Sequence, residues 1–166
     1  MDKMKRVNAI LQHPLYCSCY ERLEKLERDR IFCRHQMTHL LDVARIAYIQ
    51  NMEQDLGLEK EVIYAAAILH DIGKSAQYED GTPHEQSGEK IAAEILSTLP
   101  EEENFSEEEM RMLLTAIRGH RKLRPDAEPL ERLLYISDKA SRTCYACPAE
   151  GQCNWSAEKK NMELVI

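Results

Sequence analysis

The stretch Ala65–Lys74, AAAILHDIGK, carries an apolar helical run straight into histidine, aspartate, glycine and lysine. An imidazole beside a carboxylate, with an amine three residues on, has the parts of a metal site that acts on an anion. A mixed imidazole and carboxylate donor set suits Fe, Mn, Co or Zn better than Ca or Mg. On a continuous helix His70 and Asp71 point about 100° apart, so both reach one ion only if the helix ends there. Gly73 supplies an end, because glycine readily takes the left-handed conformation that terminates helices. The chain has six histidines: His13, His35, His39, His70, His84 and His120. A single histidine on an apolar helix is most often a satisfied core residue. Several buried without partners would each cost about 1–3 kcal/mol, and convergence on one metal would satisfy them together.

The elements that must position these residues are helical almost throughout. Leu23, Leu26 and Ile31 mark one face of a charged helix over roughly 16–30. A second runs over about 34–54, with Leu40, Val43 and Ala47 inward and Gly57 as its stop. A third begins near Glu59 and ends at Gly73. Thr82-Pro83-His84-Glu85 reads as an N-cap, a first-turn proline and a capping glutamate, which puts His84 in the opening turn of a fourth helix. Ser106-Glu107-Glu108-Glu109 repeats that logic ahead of MLLTAIRGH, and a last helix starts near Pro129. The acidic run 101–109 reads as a solvated loop and helix start, where negative charge suits the dipole. No strand signal stands out, so the fold class is all-α.

Composition agrees. Gly and Pro number six each and aromatic residues make up 6% of the 166 residues, a helical profile; 43% hydrophobic and 31% charged is ordinary for a globular domain. The net charge of 22 − 29 = −7 argues against a broad nucleic-acid footprint while leaving room for a local basic patch and a small anionic ligand. No apolar stretch approaches the roughly 18 residues that span a bilayer. The basic N-terminal stretch lacks an apolar signal region, so a cytoplasmic location is expected, with cysteines reduced or metal-bound.

HDIGK, preceded by THLLDVARIA and followed downstream by ISDKASR, resembles the HD-domain metal-dependent phosphohydrolases over roughly residues 34–142. The resemblance implies a helical bundle of about six to seven helices, spanning 1–143 with a core at 34–142, and a metal shell of His39, His70, Asp71 and Asp138. His84-Glu-Gln-Ser-Gly88 is similar to an element of HD subfamilies with extra active-site histidines, and Ala116-Ile-Arg-Gly-His120, then Pro129-Leu-Glu131 and Ile136-Ser-Asp-Lys139, are similar to HD hydrolases that cleave diadenosine tetraphosphate symmetrically. That similarity carries His84 and His120 over as ligands of a second ion or as phosphate contacts. It implies one or two divalent transition ions, Fe, Mn, Co, Ni or Zn. The segment after HDIGK is short for that subfamily, and the cysteine-rich tail is foreign to it. His35, one turn before His39, is placed beside the shell or at the surface.

The function implied is hydrolysis of a phosphoester or phosphoanhydride by metal-activated hydroxide. Asp71 is expected to bridge two ions. Lys74 and Arg118 are expected to offset phosphoryl charge, and Lys74, Arg118 and Arg121 to bind substrate, with Lys122 and Arg124 in the same run. The expected partner is a small phosphorylated molecule, a nucleotide first, with no nucleic-acid polymer and no membrane. One alternative is a metal-binding HD module with a sensing or interaction role and weak catalysis. Another is a redox-responsive regulator built on the cysteines.

Cys144-Tyr-Ala-Cys147, with Cys153 six residues on, has metal-site spacing and needs a fourth ligand. Cys33 lies six residues before His39 and Cys144 six after Asp138. If His39 and Asp138 face one metal from antiparallel helices, both steps run the same way by roughly 9 Å, and Cys33 lands beside Cys144. Cys33, Cys144, Cys147 and Cys153 are therefore expected to bind Zn or an iron–sulfur cluster. That would pack the tail, 144–166, on the same domain. Cys17 and Cys19 offer an alternative ligand, and free buried thiols are the plainer reading.

Overall fold

The computed structural model describes residues 3–165. Among them the chain is all-α, with no strand: α1 (Lys5–Gln12), α2 (Pro14–Leu26), α3 (Met37–Glu53), α4 (Lys60–Leu69), α5 (Lys74–Glu79), α6 (His84–Ser97), α7 (Glu107–Gly119) and α8 (Pro129–Ala140). Seven of these have eight residues or more, and α5 is a short six-residue turn of helix. No helix among the described residues is long and apolar enough to cross a membrane.

The axis of the bundle is α4. Every residue from Val62 to Leu69 except Tyr64 is buried, and α3, α7, α1 and α8 pack around it. Its alanines let those neighbours approach closely. Glu59 caps its start, accepting from the amides of Glu61 and Val62.

Three expectations change at the N-terminal side. The helix α1 was not anticipated; it buries Val7 and Ile10, and Arg6 ties it to Glu59 at 2.7 Å and Glu109 at 2.9 Å. His13 then ends α1, and its Nδ1 accepts from the Leu15 amide, with Pro14 opening α2. The inner stripe of α2 runs through Tyr16, Leu23 and Glu27. Leu26 and Ile31, expected inside, are 43% and 60% exposed. The α2 helix ends at Leu26, so Ile31 is out of register with its buried face.

Helix α3 begins at Met37, later than expected, after an extended 34–36 segment, and the Met37 amide donates to Tyr20 Oη. Its end is built by Asp55 and Gly57, both at positive φ, and by Asn51, which bonds both backbone groups of Leu58. Thr82 is not the N-cap of α6: Pro83 is, with no side-chain cap bond, and the Thr82 amide donates to Asp80 instead. The capping box of Ser106 and Glu109 is present as read.

Beyond α8 the tail forms 3₁₀ turns at 144–146, 150–152 and 157–159. Asn161 fixes it to the end of α8, donating to the carbonyls of Ala140 and Arg142 at 3.0 and 2.9 Å.

Candidate metal centre

Two helices deliver histidine by the same local device. His70 follows α4 and His120 follows α7, both still in helical conformation. Each donates Nδ1–H to the carbonyl three residues back, Ala67 and Ile117, at 2.7 Å. Last-turn carbonyls have no intrahelical partner, so each imidazole caps its own helix and presents Nε2 off the end. His84 opens α6 with Nδ1 2.5 Å from Gln77 Oε1. His39, in the first turn of α3, has Nδ1 3.2 Å from Ser141 Oγ, and that hydroxyl donates to the Asp138 carbonyl. In all four, Nδ1 is committed to an oxygen, so Nε2 is the atom each offers to a metal; without one, Nε2 of His84 and of His120 stand 3.0 Å apart. Metal-ligating histidines are held this way.

All four Nε2 atoms face Asp71, which is itself buried. Its Oδ2 lies 3.0 Å from His70 and 3.5 Å from His39; its Oδ1 lies 3.2 Å from His84 and 3.7 Å from His120. Asp138, in the last turn of α8, puts Oδ1 3.5 Å from His39 and 3.9 Å from His70. The residues form two sets with ligand atoms within 4.8 Å of one another: His39, His70, Asp71 and Asp138, and Asp71, His84 and His120. Asp71 belongs to both, one oxygen to each.

These residues fit a metal on a direct observation. Nε2 of His39 and of His70 are buried and make no well-directed hydrogen bond although Asp71 Oδ2 lies 3.5 and 3.0 Å away, a costly state that a cation resolves. Burial disfavours charge on His70, yet the Asp71 and Asp138 carboxylates outweigh it and raise its pKa to about 10. Burial likewise opposes ionisation of the two carboxyls. The surrounding imidazoles, joined at Asp138 by Arg142 and Lys139, hold both well below the ordinary range. At His84 burial wins and the pKa falls to about 4. Such a site exchanges a proton for a metal ion.

The turn that carries His-Asp differs from expectation. Gly73 is not left-handed, at φ −82°, and α4 ends at Leu69 rather than at Gly73. Glycine is required there by contact: a Cβ would collide with the Gly88 amide nitrogen, the His84 carbonyl and Ser87 Oγ. The chain then continues directly into α5, an element the sequence did not disclose, and Lys74 is its first residue.

A cavity of about 470 Å³ opens over Asp71, Asp138, His84 and His120, within the range of small-ligand sites. Its lining includes six cations, Arg30, Lys74, Arg121, Lys139, Arg142 and Lys159. Lys74 Nζ lies 3.5 Å from His84 Nδ1, and burial lowers its pKa. Arg121 is held by Glu85 at 3.1 Å. Arg118, expected as a catalytic and substrate-binding cation, does not line the cavity; it lies half-exposed against Glu89 at 3.3 Å. Arg124 is likewise turned away, onto buried Glu131.

His35 is the residue sequence reasoning undervalued. It is buried beside the shell, the first of the two places expected for it, and its Nε2 is 3.8 Å from Asp71 Oδ2. Glu27 holds it, accepting from the His35 amide at 2.6 Å and from Nδ1 at 2.5 Å. The i, i+4 spacing to His39 was the available signal. Arg142, bonded to Asp138 Oδ1 at 2.9 Å, also shows as an i, i+4 pair and was missed. Cys33, Cys144, Cys147 and Cys153 line a second, smaller cavity together. Cys17 and Cys19 do not join it; the Cys17 thiol donates to the Leu11 carbonyl.

Against known proteins, a family model described as "HD domain" matches residues 37–143. The chain belongs to the HD-domain family. Members of this family are metal-dependent phosphohydrolases, and the His39, His70, Asp71 and Asp138 cluster of this HD domain is of the kind that could hold a divalent ion. An uncharacterized protein of Clostridium beijerinckii is 47% identical over 97% of this chain and 99% of its own length. Ribonuclease Y of Aquifex aeolicus is 27% identical over 78% of this chain, and that of Lactobacillus gasseri 21% over 92%. This HD domain spans only 21% and 26% of those two ribonucleases. No solved structure matches it.

Proposed function

We propose that this HD domain is a metal-dependent phosphohydrolase acting on a small, multiply charged phosphoester or phosphoanhydride, a nucleotide first. The observation that carries the reading is the shared carboxylate of Asp71, buried between two histidine sets at the floor of a cation-lined cavity. His39, His70, Asp71 and Asp138 would hold one ion, and Asp71, His84 and His120 a second. A divalent transition metal there supplies Lewis acidity and brings water to nucleophilic competence near neutral pH.

The chain's own residues do the rest. Lys74, anchored at the start of α5 beside His84, presents a charge to a phosphoryl oxygen at the edge of the metal floor. Arg121, oriented by Glu85, and Lys139 and Arg142, oriented by Asp138, are already positioned to hold anionic oxygens without rearranging as charge develops. Arg118 is assigned no part.

The experiment is hydrolysis by metal-loaded protein of a dinucleoside polyphosphate, a simple phosphodiester and a short RNA, the last because of the likeness to ribonuclease Y. Turnover of the first two that is lost in Asp71→Asn supports the reading. Cleavage of RNA alone would move the substrate class to a polymer. Metal binding without turnover on any of them would favour the sensing or interaction module.

A further inference from the structure

The connector between α2 and α3, residues 27–36, and the tail after α8 are irregular segments that meet at the small cavity. Cys33 comes from the first, and Cys144, Cys147 and Cys153 from the second. Cys144 is buried, the others are half-buried, and none is in a disulfide. Among the described residues the tail adds none to the main hydrophobic core, and their only regular structure is a set of three-residue 3₁₀ turns. A segment with so little apolar burial needs a crosslink to stay ordered.

We infer that Cys33, Cys144, Cys147 and Cys153 ligate an iron–sulfur cluster that pins the tail to the α2–α3 connector and so forms one wall of the anion cavity. The spacing of the metal-free thiols suits a four-iron cluster better than a single ion. A tetrahedral zinc site with Zn–S bonds of about 2.3 Å brings its sulfurs to about 3.8 Å from one another. Among the described residues, no three cysteines bring their sulfurs within 4.8 Å of one another. In a [4Fe–4S] cluster each thiolate binds a different iron, and the sulfurs stand wider apart. Lys160 and Glu150, paired at 2.6 Å, both line the same cavity, and the Lys160 ammonium also donates to the Glu150 carbonyl, which ties the tail around the thiols.

Four residues, Phe32, Cys33, Cys153 and Trp155, line both this cavity and the anion cavity. Trp155 stacks under Arg142 at 4.8 Å, and Arg142 bonds Asp138. Removing the cluster therefore releases Trp155 and Lys159 from the substrate side while leaving the histidines in place. This effect on substrate, unlike the cluster itself, rests on the phosphohydrolase reading.

The test is anaerobic purification of the full chain, with reconstitution by iron and sulfide, and analysis for iron, acid-labile sulfide and zinc. The expected content is about four iron and four sulfide per chain, beyond metal at the histidine site. Cys147→Ser and Cys153→Ser lose the sulfide, keep the far-UV circular dichroism of the bundle, and become open to trypsin at Lys159 and Lys160. Cys17→Ser and Asp71→Asn keep the sulfide. With a hydrolysable substrate, the Cys147→Ser and Cys153→Ser variants raise KM more than they lower kcat. Zinc bound to the cysteines without sulfide, or no metal beyond the histidine site after reconstitution, overturns the cluster. Absence of turnover with a full complement of sulfide counts against the phosphohydrolase reading alone.

Discussion

Gly73 and Gly88 meet backbone to backbone: a Cβ on Gly73 would collide with the Gly88 amide nitrogen, whereas a Cβ on Gly88 would sit 3.6 Å from the Gly73 amide nitrogen, an ordinary contact. The asymmetry predicts opposite outcomes for one substitution. Gly73→Ala forces the start of α6, and with it His84, away from Asp71. It should cost about 1–3 kcal/mol, the usual range for overpacking, and lower metal occupancy. Gly88→Ala adds a methyl group inside α6 with room for it and should be neutral or stabilising by up to about 1 kcal/mol. Chemical denaturation of both variants, with metal content measured alongside, checks the pair. A Gly73→Ala protein as stable and as well metallated as wild type would falsify the packing argument.

Metal should stabilise the fold. Nε2 of His39 and His70 are buried without a well-directed hydrogen bond, and a ligand bound only by the native state adds about 2.7 kcal/mol at a hundred times its Kd. In a chain of this length that corresponds to a rise in Tm of roughly 5–10 °C. Thermal melts of chelated protein with and without added Mn or Fe measure the rise. Asp71→Asn, which weakens both ligand sets at once, should show little or none of it.

Ser141 is a positioning residue. Its hydroxyl accepts from His39 Nδ1 and donates to the Asp138 carbonyl, so it joins the two residues that close one ligand set from opposite helices. Ser141→Ala should weaken metal affinity by about 10–100-fold, as loss of such supporting bonds usually does, with little change in the stability of the metal-free protein. Metal titration against a competing chelator reads the difference. Ser141→Thr, which keeps the hydroxyl, should restore most of it.

Local signals carried much of this structure. The Ser106 capping box, the Pro129 start and the apolar α4 depend on spacing along one segment, and spacing is visible in the chain; the set of His39, His70-Asp71 and Asp138, spread over a hundred residues, came through the resemblance to the HD hydrolases. The parts that were not legible depend on how segments rotate against one another. Arg118 and Arg121 are three residues apart and chemically alike, yet one faces Glu89 outside the cavity and the other lines it. The α1 helix is short, and Arg6 gives it much of its anchorage through acids from α4 and α7 that no local pattern reveals. Gly73 was read through backbone freedom, and the constraint is a neighbour fifteen residues away.

Glu27 is the sharpest case, since a carboxylate on a charged helix normally faces water. Here it is fully buried and accepts three hydrogen bonds, from the His35 amide, the His35 imidazole and the Tyr78 hydroxyl at 2.7 Å. All three partners donate to the carboxylate, so the amide nitrogen of Glu27→Gln would face the fixed His35 backbone donor or require the His35 imidazole and the Tyr78 hydroxyl to reverse, and the variant should lose about 1–3 kcal/mol. The loss should depend on pH. Burial alone would raise the Glu27 pKa, but the bonds from His35 and Tyr78 outweigh it and hold the carboxyl below the 4.5 of a free glutamate. A group lowered on folding contributes its stability above the unfolded pKa and loses it as pH falls through the folded one. The gap between wild type and Glu27→Gln in urea unfolding of metal-free protein should therefore be full at neutral pH and shrink below about pH 4.5. A gap that stays constant down to pH 3 would mean that the lost stability is packing rather than the ionised carboxylate.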